Sequence, residues 1–312
     1  MDATELVRST EFWFEDGTVI LQVENMLYRV YRGLLSSRSA VFRDTFSIPQ
    51  PQAAGDRNEI EGCPVVQLHE KAKDFAHFLR ALHHYGSHKT CAVSGIFTLT
   101  SVIRLSDKYD AALLRHSMVE ILSDLYPSAL HKWRARDDAV PAGYNAQLID
   151  HIPALNIARK MDIRSILPGV MYEVCCWNSL EEILYGVSAS EKHALKTIDN
   201  VEDRKRCALA IPHLISAQRL VFTNYLTPGE DDANPECADI AACDAERLRW
   251  LAIDLPTVEN MDVLDEELAW ESFAVCSSCL DAAKDTYTED REAVWNRLPS
   301  IFNLGTWEEL LA

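Results

Sequence analysis

"TVILQVENMLYRVYRGLLSSRSAVFRDTF" runs from Thr18 to Phe46 and changes its period part-way. From Thr18 to Arg32 it is rich in Val, Ile, Leu and Tyr and is broken by "VENM". That pattern predicts two strands joined by a tight turn. From Gly33 to Ser47, Leu34, Leu35, Val41, Phe42 and Phe46 fit short helices with one apolar face, and Ser36 or Ser39 can cap the second. A hairpin followed directly by a helix pair makes the N-terminal part an α/β domain. Working outward, Pro49–Gly62 reads as a polar loop and "CPVVQLHE" as a third strand. "KDFAHFLRALHHY" sets Phe75, Phe78, Leu79 and Leu82 at helical spacing. The stretch from Ser94 to Leu125 supplies two more helices, with a break near Lys108–Asp110.

Beyond Tyr126 the strand signal fades. "HKWRARDDAVPAGYN", His131 to Asn145, reads as a connector. The remaining segments show helical periodicity punctuated at Pro153, Pro168, Pro212, Pro228 and Pro256, with no fixed-period repeat. The expected organisation is an α/β domain over 9–125, a connector over 126–145 and an all-α domain over 146–312.

The 312 residues carry a net charge of −18, and it is uneven: 21 acidic residues stand against 5 basic ones from Pro228 onward. Such a tail repels phosphate backbones, so no nucleic-acid partner is expected there. Short runs such as "RARDD" and "EDRKR" mix both signs and form no basic stripe. The start, "MDATELVRSTEFWFEDG", has no apolar run, and no stretch approaches the roughly 18 apolar residues of a membrane span. A cytoplasmic or nuclear protein with no membrane partner is the expectation.

In such a reducing setting, nine cysteines read as core residues, metal ligands or reactive thiols before disulfides. Four gather in the acidic tail. Cys237 and Cys243 follow Pro235, and Cys276 and Cys279 are three apart, on one side of a helix or knuckle. Four thiolates satisfy a tetrahedral zinc ion, since soft sulfur suits the metal. Buried unligated cysteines, and disulfide or redox chemistry, fit the C-x5-C…C-x2-C spacing as well. "HHYGSH", with His83, His84 and His88 near Cys91, is a second place for metal, though an exposed turn accounts for it. The vicinal Cys175–Cys176 pair reads as core. Phosphate-loop, nucleophile-elbow, dinucleotide and H-E-x-x-H motifs are all missing, and the carboxylates of "LEEI" and "DEELAWE" read as solvated helix faces. A catalytic function is not expected.

Over Glu15–Leu125 the chain resembles the BTB/POZ domain. "YRVYRGLLSSRSAVFRDTF", "VVQLHEKAKDFAHFLRALHHYG" and "LSDKYDAALLRHSMVEIL" carry the match, and "EGCPVVQL" with "YRVYRGLL" is similar to the BTB proteins of basidiomycete fungi. The resemblance implies a non-catalytic protein-interaction scaffold that docks a partner or a second copy. The runner-up it implies is a substrate adaptor for a cullin-type ubiquitin ligase; an enzyme hidden in the helical part is a third reading. Family members often pair through the hairpin and the helix after it, which here means Phe12, Trp13, Phe14, Arg32, Leu34 and Leu35. Three consecutive aromatics cannot all face one core, so at least one is expected at a contact surface. Tyr31 stands where the family usually has His, and Thr18 where dimerising members keep Asp, while Arg32 matches the basic partner. "FSIPQPQ" has no clear counterpart of the segment that grips a cullin.

Overall fold

In the computed structural model, which describes residues 5–48, 59–84, 95–136, 150–187, 196–227, 236–254, 263–264 and 270–312, the chain enters as strand β1 (Val7–Trp13). The expected hairpin follows as β2 (Val19–Val23) and β3 (Met26–Val30), antiparallel, with Val23 opposite Met26. That register leaves Glu24 and Asn25 as a two-residue turn, with Glu24 at a φ of 53°. A non-glycine residue adopts this region at a cost, so the surroundings must hold it there. The Glu24 carboxylate accepts the Ala72 N–H at 2.9 Å, capping a free donor at the start of a helix packed beside the turn.

Helices α1 (Arg32–Arg38) and α2 (Ala40–Ser47) come next, divided by Ser39 in an extended conformation. The Ser39 hydroxyl accepts the Phe42 N–H and donates to the Tyr109 carbonyl, so it both starts α2 and ties it to the chain beyond Lys108. Of the expected Pro49–Gly62 loop, residues 49–58 lie outside the described residues, and Glu59–Ile60 forms a short strand, β4. Strand β5 (Cys63–Leu68) then joins β2 in parallel, giving a five-stranded sheet in the order β1-β3-β2-β5-β4, with β1 parallel to β3. Helices α3 (Ala72–His83), α4 (Ile96–Lys108) and α5 (Ala112–Leu125) follow.

Successive strand residues point to opposite sheet faces. Tyr28 and Phe12 turn one way, toward Phe75, Phe78, Tyr109 and Phe42, whose rings pack with centroids 4.7–6.3 Å apart. Their neighbours Leu27 and Trp13 belong to a second cluster with Ile20, Cys63, Ile60 and Val65. Both faces are therefore covered. Buried Glu70 is paired with Lys108 and with Arg104 at 3.3 Å, which a carboxylate removed from water requires.

The chain divides into two compact units, Met1–Asp124 with Ala139–Asp150 and Leu125–Asp138 with His151–Ala312. The second is helical: α6 (Leu130–Arg134), α7 (His151–Lys160), α8 (Leu167–Trp177), α9 (Leu180–Tyr185), α10 (Val201–Leu226), α11 (Ile240–Asp254), α12 (Ser277–Ile301) and α13 (Trp307–Leu311). Asn200 caps α10, while Ser179 and Thr306 open α9 and α13 with capping boxes.

Two boundaries differ from the sequence reading. The sheet begins at Val7, with a strand ahead of the hairpin expected to open it at Thr18 and just before the expected domain start at residue 9. The first part of the expected 126–145 connector is structured: Trp133 on α6 is 4% exposed, packed on Tyr172 and Trp295 at 6.0 and 5.2 Å. An indole that size is worth roughly 2–3 kcal/mol when buried, which outweighs the polar residues around it. Residues 137–145 of that connector lie outside the described residues. Among the described residues no helix is long and apolar enough to cross a membrane.

Candidate metal centre

Two helix starts meet in the acidic part of the second unit. At the first, the Asp239 carboxylate accepts the Ala242 N–H, and α11 opens with Cys243 in its first turn and Cys237 just ahead of it. At the second, Cys276 is the N-cap of α12 and Cys279 lies within the first turn. The four sulfurs lie within 4.8 Å of one another, with Cys276 Sγ 3.8 Å from Cys237 Sγ. Cys243 and Cys279 are buried, at 4% and 2% exposure; Cys237 and Cys276 are partly exposed. The group is of a size to hold one metal ion.

Its surroundings favour negative sulfur. A helix start presents unpaired N–H groups and the positive end of the helix dipole, and two such starts face this cluster. Backbone N–H groups of Ala238 and Cys279 hold the Cys276 thiol down to about 6. The Cys276 N–H donates to Cys243 Sγ at 3.3 Å, which favours the thiolate there, but burial and the thiols of Cys237 and Cys276 push Cys243 up. Burial, then the Cys237 thiol, push Cys279 up to about 12, against the nearby Arg247 cation. Without a cation among them, four thiols so close cannot all ionise. A metal ion supplies that charge and displaces their protons.

A second tie runs beside the cluster. The Glu246 carboxylate of α11 holds Arg249, the Trp250 indole and the Ala274 N–H, and these, Arg249 foremost, hold it down to about 2. Ala274 and Cys276 thus fasten the same short segment to α11. That segment carries Phe273, packed edge-on to Trp250 at 5.5 Å and near Tyr225 and Trp270. Trp270 in turn packs on Tyr225 and Tyr287.

No family model, curated protein or solved structure matches this chain.

The other residues singled out in the sequence fall elsewhere. Phe12 and Leu35 are buried in the core of the first unit. Trp13 is half-buried on Ile20, Leu27 and Cys63, under the Arg8 guanidinium. Phe14 stacks on Tyr31 at 5.1 Å, and Tyr31 donates to Asp16 at 2.7 Å. None of the three aromatics is exposed: Phe12 and Trp13 lie on opposite, covered faces of the sheet, and Phe14, just past the strand, is covered by Tyr31. Of the six, Arg32 alone is exposed; it reaches over the Phe46 ring to the Phe46 carbonyl, while its backbone N–H donates to Thr18. Leu34 is half-buried.

His83 packs against the rings of Phe12 and Phe14 at 5.5 and 5.4 Å, while His88 and Cys91 lie outside the described residues. Cys175 is fully buried and donates to the Cys207 carbonyl at 3.5 Å, as a core thiol does. In "LEEI", Glu182 serves its own helix start; residues 265–269 of "DEELAWE" lie outside the described residues. The sequence reading missed the polar group of Tyr126, His151, Glu173 and Arg136. His151 Nδ1 is 2.9 Å from the Tyr126 hydroxyl, and Glu173 pairs with Arg136. His151 and Glu173 lie on inward faces of α7 and α8, but Tyr126 and Arg136 follow the ends of α5 and α6, so no spacing in the sequence signals the group.

Proposed function

We propose that this chain is a non-catalytic protein-interaction scaffold whose helical unit is fastened by one structural zinc ion. The observation that carries the reading is the four-cysteine cluster. Zinc–sulfur bonds of about 2.3 Å in a tetrahedron set sulfurs about 3.8 Å apart, the spacing of Cys237 and Cys276. Four thiolates fill every position of a tetrahedral ion, leaving none for substrate or activated water, so the metal's role is architectural. Sulfur-only ligation favours zinc over the hard cations magnesium and calcium. The interaction role is supported by the first unit's layout, a hairpin, helix pair, parallel third strand and three helices, which matches what the BTB/POZ resemblance implies. It docks a protein partner or a second copy of the chain. Arg32 and Leu34, on the helix after the hairpin, are the residues of that region still available to it.

Elemental analysis tests the metal. The full chain purified without added metal is expected to carry about one zinc, and Cys276→Ser to lower this several-fold and reduce the thermal midpoint. A metal-free native chain sinks the zinc reading. Light scattering, with affinity purification and reconstitution from purified components, tests the docking role. A stoichiometric complex with another protein or itself supports it, and binding to a purified cullin makes the chain a ligase adaptor. A monomer that binds no protein and turns over a small molecule overturns it.

A further inference from the structure

We propose that Cys237 and Cys276 form a peroxide-sensitive pair, converted by oxidation into a disulfide that releases the metal from the clip. The proposal rests on the zinc reading. All four sulfurs are within reach of one another, so geometry permits this pair and exposure singles it out. The Cys237 and Cys276 sulfurs are 3.8 Å apart, so side-chain rotation need close only the remaining distance to the roughly 2.05 Å of a disulfide. Both are partly exposed, whereas Cys243 and Cys279 are buried. A small oxidant from solvent therefore meets one cysteine from each helix start, and the two it meets are already neighbours.

The chemistry closes with hydrogen peroxide as oxidant. The Cys276 sulfur attacks one peroxide oxygen, the O–O bond breaks, hydroxide leaves and a sulfenic acid forms. The Cys237 sulfur then attacks the sulfenic sulfur, expelling a second hydroxide and forming the S–S bond. Two thiolates lose two electrons in all, and one peroxide becomes two hydroxides. Both sulfurs give up the electron pairs that bound the metal. Zinc is left with two thiolates, Cys243 and Cys279, too few to hold it in a closed site. The new bond still links the two helix starts, but on one side of the former site only. Phe273 and Trp270, on the segment leading into Cys276, shift against Trp250 and Tyr287 as a result.

The test uses the full chain loaded with one zinc and treated with graded hydrogen peroxide. A chelating dye follows zinc, tryptophan emission follows the aromatic cluster, and alkylation with peptide mass mapping locates the disulfide. Release of one zinc per disulfide is expected, with the bond mapped to Cys237–Cys276 and with Cys243 and Cys279 recovered as alkylated thiols. Reductant plus zinc restores the starting emission. Because Cys237→Ser is itself liable to lose the metal, the mapping on the unaltered chain decides. Zinc release with a disulfide involving Cys243 or Cys279 overturns the proposal. So does a zinc-loaded chain whose pair stays reduced at peroxide doses that oxidise free glutathione, and that outcome leaves the zinc reading intact. A chain isolated without zinc removes the zinc reading and the release step together.

Discussion

His151 is the residue where burial has the sharpest consequence for stability. Its ring faces the Tyr126 hydroxyl on one side, and Nε2 lies 3.7 Å from a Glu173 oxygen on the other. Glu173 is already engaged by Arg136 and by the Trp177 indole at 2.8 Å, so it gives an imidazolium little help. Burial first, and the Arg136 charge second, bring His151 down to about 3. In the unfolded chain the group titrates near 6.5. Between about 3 and 6.5 the unfolded state therefore binds the extra proton, stability rises with pH, and the contribution is lost as pH falls. From pH 7 to pH 5 the loss amounts to about 2 kcal/mol. Urea melts at the two pH values, on the chain and on His151→Gln, check this. The variant is expected to be weaker at pH 7 but to lose less on acidification; equal losses in both sink the argument. None of this was legible from sequence, where His151 is one polar letter in a helical segment. Ser39 shows the opposite case. The sequence narrowed the α2 cap to Ser36 or Ser39, and the hydroxyl bound to the Phe42 N–H selects the second.

Elements were legible where the local pattern is complete, whatever the distance to their partners. The β2–β3 hairpin, strand β5 and helices α3 to α5 carry their own period and their own turns. Strand β1 does not: it pairs in parallel with β3 across the intervening β2, and "VRSTEFW" gives no local sign of that partner. Helix α6 was hidden differently, being short and rich in charge around a single indole. What places it is Gly169 on α8, where a Cβ would lie 2.7 Å from the Trp133 ring. Helix propensity alone favours alanine there by about 1 kcal/mol. The clash with an indole fixed between Tyr172 and Trp295 costs about 1–3 kcal/mol, and it wins. Gly169→Ala is expected to lower stability by up to about 2 kcal/mol in denaturant melts. A stabilised variant would mean that Trp133 gives way freely. The metal site belongs to this scale as well. The four residue types were legible, but C-x5-C is not a knuckle by itself. It works because Cys237 precedes α11 and Cys243 lies in its first turn, facing the start of α12, and that convergence is tertiary.

Across the whole molecule, the acidic tail sets the charge around the proposed metal. The chain from Pro228 onward is strongly acidic, and the proposed zinc ion with four thiolates would add two more negative charges there. Arg247 and the N–H groups at two helix starts offset them locally, so the proposed ion would contribute by cross-linking rather than by neutralising the tail. Each unit has its own buried core, that of the first built on Tyr28, Phe75 and Phe78 and that of the second on Tyr172, Leu214 and Leu298. The clip lies wholly within the second unit. Removing zinc is therefore expected to weaken one unit and leave the other as it was. A ligand bound to the native state at about 1,000 times its Kd stabilises by about 4 kcal/mol. In a unit of this size that is a shift of about 10 °C. Differential scanning calorimetry of the full chain, with and without a strong zinc chelator, reads the difference directly. Two transitions are expected, one falling by about that amount with chelator and returning when zinc is added, the other unmoved. If both fall together, the two cores unfold as one cooperative block; if neither moves, the cysteine cluster holds no stabilising ion.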